Sequence, residues 1–216
     1  MIKNVLTVGC SFTYGDELPN RLESAWPYLL AKQNNWQINN LGKGGGSNDR
    51  SIRLIFDNIN KYDLIIIAWT IHDRFEVSFN DELVDVNIGY AKKVNLEWVE
   101  EYYKHHYDRL YSYSSWFRQI LMLQAYLEKM GQKYIMVNAF DIWGDLGKHL
   151  YEEYMTDLGY LADQIDATYY PGWPGAGMCE WMGDCPKGPG GHPLELGHQR
   201  IAEKINEHIR HLGWIS

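Results

Sequence analysis

Four runs of β-branched and apolar residues, Asn4 to Val8, Gln37 to Leu41, Asp63 to Trp69 and Lys133 to Ala139, are separated by segments of helical periodicity. This alternation constrains the fold more than any other feature of the chain. The third run is continuously apolar from Leu64 to Trp69, the pattern of a strand buried on both faces. Between and after the runs, the spacing predicts helices over Ala25 to Asn34, Ser51 to Lys61, Ser115 to Lys129 and Leu196 to Leu212. Trp116, Ile120, Leu123 and Leu127 recur at three and four residues, as do Ile201, Ile205, Ile209 and Leu212, so each helix has one apolar stripe to bury. Strands alternating with helices imply an α/β fold, a parallel sheet between two helical layers. At 216 residues the chain is long enough for one substantial core, and a single domain over 1–216 is expected.

Two segments interrupt the alternation. Residues 75–114 form an insertion between the third strand and its helix, with a hairpin expected over Val77 to Val86 and a polar, tyrosine-rich stretch after it. Residues 169–191 are turn chemistry throughout, and a loop of that length in a compact domain is usually functional. Its aromatic residues Tyr169, Tyr170, Trp173 and Trp181 either stack on sugar rings or pack the loop down, packing being the simpler reading.

Composition excludes several classes. A net charge of −8 argues against a nucleic-acid partner, because phosphate binding depends on clustered Lys and Arg. The longest apolar run, Leu64 to Trp69, is far short of a bilayer span, and the first motif begins too early to leave room for a signal peptide. Three cysteines make no disulfide framework and fit a reducing compartment. The expectation is a soluble cytoplasmic protein with neither nucleic-acid nor membrane partners.

Chemistry-bearing residues fall where strands end, the edge at which open parallel sheets bind ligands. Residues 9–17 (GCSFTYGDE) place Ser11 directly after the first strand. Residues 40–49 (NLGKGGGSND) follow the second with a glycine run that exposes backbone N–H groups. Thr70, His72, Asp73 and Arg74 end the third, and His192–Pro193 precedes the last helix. Each has an ordinary reading alone: Ser11 and Thr13 as turn or cap residues, the glycines as a flexible loop, the histidines as structural or solvated groups. Cys10 reads as a small buried residue, and His105 and His106 lie on a solvated polar face. Asp16 and Glu17 are set aside as a glycosidase pair, because adjacent carboxylates seldom flank a bond from opposite sides.

In this order, over residues 5–204, the four blocks resemble those of the GDSL/SGNH hydrolases. The resemblance implies a three-layer α/β/α sandwich, flavodoxin-like, with about five parallel strands. It implies a serine hydrolase acting on carboxylic esters, with short-acyl and carbohydrate O-acetyl esters as substrates. Ser11 would be the nucleophile and His192 its base. The oxyanion hole would comprise the Ser11 amide, Gly45 and His72, the last standing where the family has asparagine. The insertion and the 169–191 loop would line the substrate cleft, and no cofactor or metal is required. Cys10 and His72 depart from the usual residues, and Pro189 occupies the place of the triad acid three residues before His192. Asp184 or a backbone carbonyl is the candidate to orient the imidazole in its stead. These departures also fit an alternative, a catalytically impaired binding or structural module. A further alternative is a Cys2His2 metal site of Cys179, Cys185, His192 and His198, whose spacing fits a zinc finger poorly and which would consume the proposed base.

Overall fold

The computed structural model describes residues 2–87, 89, 97–141 and 156–215. Its centre is a parallel sheet built from β1 (Asn4–Val8), β2 (Gln37–Asn40), β3 (Leu64–Trp69) and β6 (Tyr134–Asn138), in the order β2-β1-β3-β6. The register pairs Thr7 with both Asn40 and Ile66, and Trp69 with Asn138, so the carboxyl ends of all four strands lie along one edge. Because β1 is followed by β2 on one side and β3 lies on its other, the strand order reverses there and opens a crevice between the ends of β1 and β3.

Period-two side chains sort the sheet into two faces. Leu64, Ile66 and Ala68 of β3 join Ile135 and Val137 of β6 in one core, against α3 (Trp26–Asn34) and α8 (Glu195–His211). Ile65, Ile67 and Trp69 join Tyr134 and Met136 in the other, against α4 (Asn48–Asn58) and α6 (Arg109–Lys129). Ile201, Ile205 and Ile209 are fully buried along α8, each gaining roughly 2–3 kcal/mol by leaving water. The expected three-layer α/β/α architecture is present.

Boundaries moved where caps prevailed over periodicity. Helix α6 begins at Arg109 rather than Ser115 because the Asp108 carboxylate accepts from Tyr111 N at 2.6 Å. Helix α4 begins at Asn48 because the Ser47 hydroxyl accepts from Arg50 N at 3.1 Å. The hairpin forms as expected, with β4 (Phe75–Phe79) and β5 (Glu82–Val86) joined by Asn80 and Asp81, both at positive φ as a primed turn requires. Helix α5 (Glu97–His105) follows within the insertion.

The sheet has four strands among the described residues, where the resemblance implies about five. After β6, the backbone of Asp166 is bonded on both sides by the Gln124 amide at 2.9 and 3.1 Å, and residues Ala167–Tyr169 wind into a 3₁₀ turn instead of joining a ladder. The 169–191 loop has structure of its own, including helix α7 (Met178–Met182). Its aromatics pack down: Trp173 lies 5.0–6.0 Å from Tyr170, Phe117 and Trp116, and Tyr169 stacks on Trp214. Short helices also include α1 (Ser11–Tyr14) and α2 (Arg21–Ser24). Among the described residues, no helix is long and apolar enough to cross a membrane.

Candidate active site

Ser11 opens α1 immediately beyond β1, and its side chain is nearly buried. Gly9 makes that turn possible: its φ is +152°, and a Cβ there would sit 2.5 Å from Thr13 Oγ1 and 2.9 Å from Ala68. Thr13 N and Tyr14 N both donate to Cys10 O, at 3.0 and 2.9 Å, which leaves the Ser11 and Phe12 amides as the donors of the first turn without a helical acceptor. Cys10 is fully buried beneath them.

The glycine loop lies directly against this turn. A Cβ at Gly42 or Gly44 would stand 2.6 Å from Tyr14 N or Asp16 Oδ2, and one at Gly46 would crowd Gly9 O at 3.2 Å. The Asn40 amide ties the two segments, donating to Thr13 O at 2.7 Å and accepting from Gly42 N at 3.0 Å. Gly46 N closes a turn onto Lys43 O with Gly45 at φ +72°. Sequence blocks one and two are thus one structure. Asp85, reaching in from β5, accepts from Ser47 N, Ser47 Oγ and Lys43 Nζ at 2.7–3.0 Å and pins both ends of the loop.

His192 comes to the same place from the other end of the chain, its ring edge-on to Phe12 with centroids 6.0 Å apart. Its Nδ1 lies 2.8 Å from Glu17 Oε2, and the same carboxylate accepts from His192 N at 3.1 Å and Gly190 N at 2.7 Å. These donors, Gly190 N first, hold the Glu17 carboxyl below its ordinary range, so it stays ionised. With an anion at Nδ1, the network places the ring proton there and leaves Nε2 as the lone-pair nitrogen. Glu17 itself sits at φ +67°, a conformation that non-glycine residues rarely keep except where their surroundings enforce it. Neighbouring Asp16 is half-buried, and burial raises its carboxyl while the His192 ring partly offsets this.

Asp184 pairs elsewhere: its side chain is 97% exposed and lies 3.4 Å from Arg200. Glu17, and not Asp184 or a backbone carbonyl, is the group at His192 Nδ1. Nothing in the spacing signals it, since it lies in the Ser11 block and not in the His192 block; the available hint is a loop of glycines around Pro189 with spare N–H groups.

His72 departs from its expected role. Ser112 Oγ donates to His72 O at 2.8 Å, so the 3.0 Å contact between Ser112 Oγ and His72 Nδ1 makes Nδ1 the donor and leaves Nε2 an acceptor. Burial, and then the nearby Arg109, lower His72 to about 4, and the ring is neutral. An acceptor cannot stabilise an oxyanion. Of the Cys2His2 set weighed as a metal site, Cys179 Sγ donates to Ala139 O, His198 Nδ1 accepts from Trp26 N at 3.2 Å, and His192 faces Glu17. Among the described residues, no three His, Cys, Asp or Glu side chains meet as a ligand set.

Beside this cluster, over the ends of β3 and β6, lies a cavity of about 450 Å³. The insertion supplies Tyr103, Tyr107, Arg109 and Tyr113 to its wall, whereas the 169–191 loop contributes its glycine end to Glu17 and, among the described residues, no lining residue here.

The sheet order and the helices on both its faces give the chain the α/β/α fold seen in SGNH hydrolases. Solved structures of this fold include TesA, 14% identical with a TM-score of 0.56, which covers 97% of this chain and 99% of its own. A two-domain esterase (CEX) active on acetylated mannans is 18% identical with a TM-score of 0.50, over 99% of this chain and 50% of its own. A mutant of Axe2, an acetyl-xylooligosaccharide esterase from Geobacillus stearothermophilus, is 15% identical with a TM-score of 0.50, over 96% and 94%. At these identities the likeness establishes the fold alone. The chain belongs to the family described as "Family of unknown function (DUF6071)", whose model matches residues 16–216. No curated protein matches it.

Proposed function

We propose that this chain is a serine hydrolase of the ester class in which Ser11, His192 and Glu17 form the catalytic triad. The observation that carries the reading is the contact between Glu17 and Nδ1 of His192. It turns a histidine beside a strand-end serine into an oriented base, with Nε2 left to take the Ser11 proton. Ser11 Oγ then attacks the acyl carbonyl, and the Ser11 amide with the Gly45 amide steadies the tetrahedral oxyanion. His192 returns its proton to the leaving alcohol, and water attacking by the same route releases the acid and frees Ser11. His72 has no part in the hole. Short acyl esters of carbohydrates, the class named for CEX and Axe2, are the first substrates to screen.

Labelling with a fluorophosphonate tests the reading. The wild type should label, Ser11→Ala and His192→Ala should not, and a chelator should change nothing. Absence of labelling in folded wild-type protein would favour a binding module that has kept the serine without its chemistry. Labelling that appears only after chelation would revive the metal alternative, in which the ion occupies the proposed base.

A further inference from the structure

Asp16 and Glu17 are adjacent carboxylates turned to different uses. The Glu17 carboxylate accepts from Gly190 N, His192 N and His192 Nδ1. Among the described residues, no group donates to the Asp16 carboxylate and no cation pairs with it. The backbone of Asp16 is fixed on the nucleophile: Gly15 N and Asp16 N both donate to Ser11 O, at 2.8 and 3.1 Å, and Gly15 turns the chain at φ +88°. Its side chain then lies against the glycine loop. A Cβ at Gly44 would stand 2.6 Å from Asp16 Oδ2, and Gly44 is not at a positive φ, so room for this carboxylate, and not backbone freedom, is what the position requires. Gly45, proposed above as an oxyanion donor, is the next residue.

The neighbouring cations are committed elsewhere. Lys43 Nζ, one residue before Gly44, pairs with Asp85 at 3.0 Å, and the Arg21 guanidinium lies over the Tyr14 ring at 3.8 Å. Asp16 is half-buried, and the His192 ring is close enough for its charge to act on the carboxyl, against the rise that burial causes. An unpaired carboxylate thus stands between the glycine loop and the base. Such a group accepts a charge-assisted hydrogen bond from any donor the substrate carries. It also repels an anionic substrate, and in a partly buried site that repulsion is screened less than at an open surface. Resting on the hydrolase reading above, we propose that Asp16 is a specificity-determining residue: it selects esters bearing a hydrogen-bond donor, hydroxyl or ammonium, beside the ester bond, and turns anionic esters away.

Rates of labelling by three fluorophosphonates test this on the full chain. The probes share one reactive phosphorus and differ in a short arm ending in carboxylate, carboxamide or dimethylammonium. In each case Ser11 Oγ bonds to phosphorus, fluoride leaves with the electron pair of the P–F bond, and His192 takes the Ser11 proton. In dilute buffer the wild type should label about tenfold faster with the carboxamide than with the near-isosteric carboxylate, and added salt should narrow the gap. Asp16→Asn, close in shape but uncharged, and Asp16→Ala should each bring those two rates within about twofold of one another. The third probe identifies the donor: a dimethylammonium rate above the carboxamide rate indicates a cationic group, and equal rates a neutral one such as a sugar hydroxyl. A dimethylammonium rate below the carboxamide rate, equal carboxamide and carboxylate rates in wild type, a gap that both variants leave intact, or an equal fall with all three probes would each overturn the proposal, the last because it marks a merely structural role. Labelling without discrimination removes the role of Asp16 and leaves the hydrolase; no labelling of folded wild-type protein by any probe removes the hydrolase reading and this one with it.

Discussion

Glu17 Oε2 and His192 Nδ1 meet at 2.8 Å across 175 positions of sequence, while Pro189 holds the place where a triad acid normally precedes the histidine. In the proposed triad the acid lies in the Ser11 block instead, and Gly188 and Gly190 make room for it: a Cβ at either would come within 2.6 or 3.1 Å of the Glu17 carboxylate. A single carboxylate thereby sets the ring and the loop that carries it.

Glu17→Gln should therefore lower kcat for an activated ester by roughly 10²- to 10⁴-fold, the range expected when a base loses the anion that fixes its tautomer. Asp184→Asn should leave the rate unchanged, since that side chain meets only Arg200 at the surface. Steady-state rates of both variants decide the matter, and a large loss in Asp184→Asn with none in Glu17→Gln would return the role to Asp184.

The glycine loop is held from outside the sheet. Asp85 is 5% exposed and satisfies Ser47 N, Ser47 Oγ and Lys43 Nζ at once. Asp85→Ala leaves a buried amide and hydroxyl without an acceptor, so urea denaturation should show a loss of about 3 kcal/mol, with Asp85→Asn intermediate. Because the loop carries Gly45, the variant that still folds should lose kcat with little change in KM.

The close approach of Gly42 to α1 gives a sharper steric test. Its Cβ would stand 2.6 Å from Tyr14 N and 2.8 Å from Thr13 C, backbone atoms that cannot swing aside. Gly42→Ala should destabilise by about 1–3 kcal/mol and displace the Ser11 turn. Gly131→Ala is the comparison: nothing lies within 4 Å there, and only its φ of +63° opposes the change. Thermal melts of the two should differ, with ester turnover lost in the first alone.

The sheet was legible in the sequence because β3 and β6 are buried on both faces, where Ile and Val runs leave little ambiguity. Helix starts were less so: Asp108 and Ser47 cap α6 and α4 upstream of the first apolar-periodic residue, and capping reads from a polar side chain rather than from periodicity. Ser11, Gly45 and His192 could be singled out as candidates because each lies next to a strand or helix end. Glu17 was not, because its partner lies at the far end of the chain and its positive φ is enforced by tertiary contacts. The polarity of His72 depends on Ser112, inside an insertion for which the sequence offered no template.

The buried histidines give the protein a predictable acid response. His72 and His198 are each lowered to about 4, His72 by burial and then Arg109, His198 by burial and then His192. Between the ordinary histidine pKa near 6.5 and about 4, the unfolded chain holds a proton on each ring that the folded chain does not. Stability therefore falls as pH falls through that window, by up to about 3 kcal/mol per ring, and these two groups contribute no further loss below it. Asp16, Asp49 and Asp73, raised by burial, oppose the trend towards its lower end, so one ring is best isolated by substitution. His198→Asn keeps an acceptor for Trp26 N, the bond His198 Nδ1 makes at 3.2 Å, while removing the titration. Urea midpoints measured from pH 7 to pH 4 should decline less steeply in His198→Asn than in wild type, by close to one proton in the linkage slope. Equal slopes would mean that His198 is not the neutral buried ring its surroundings dictate.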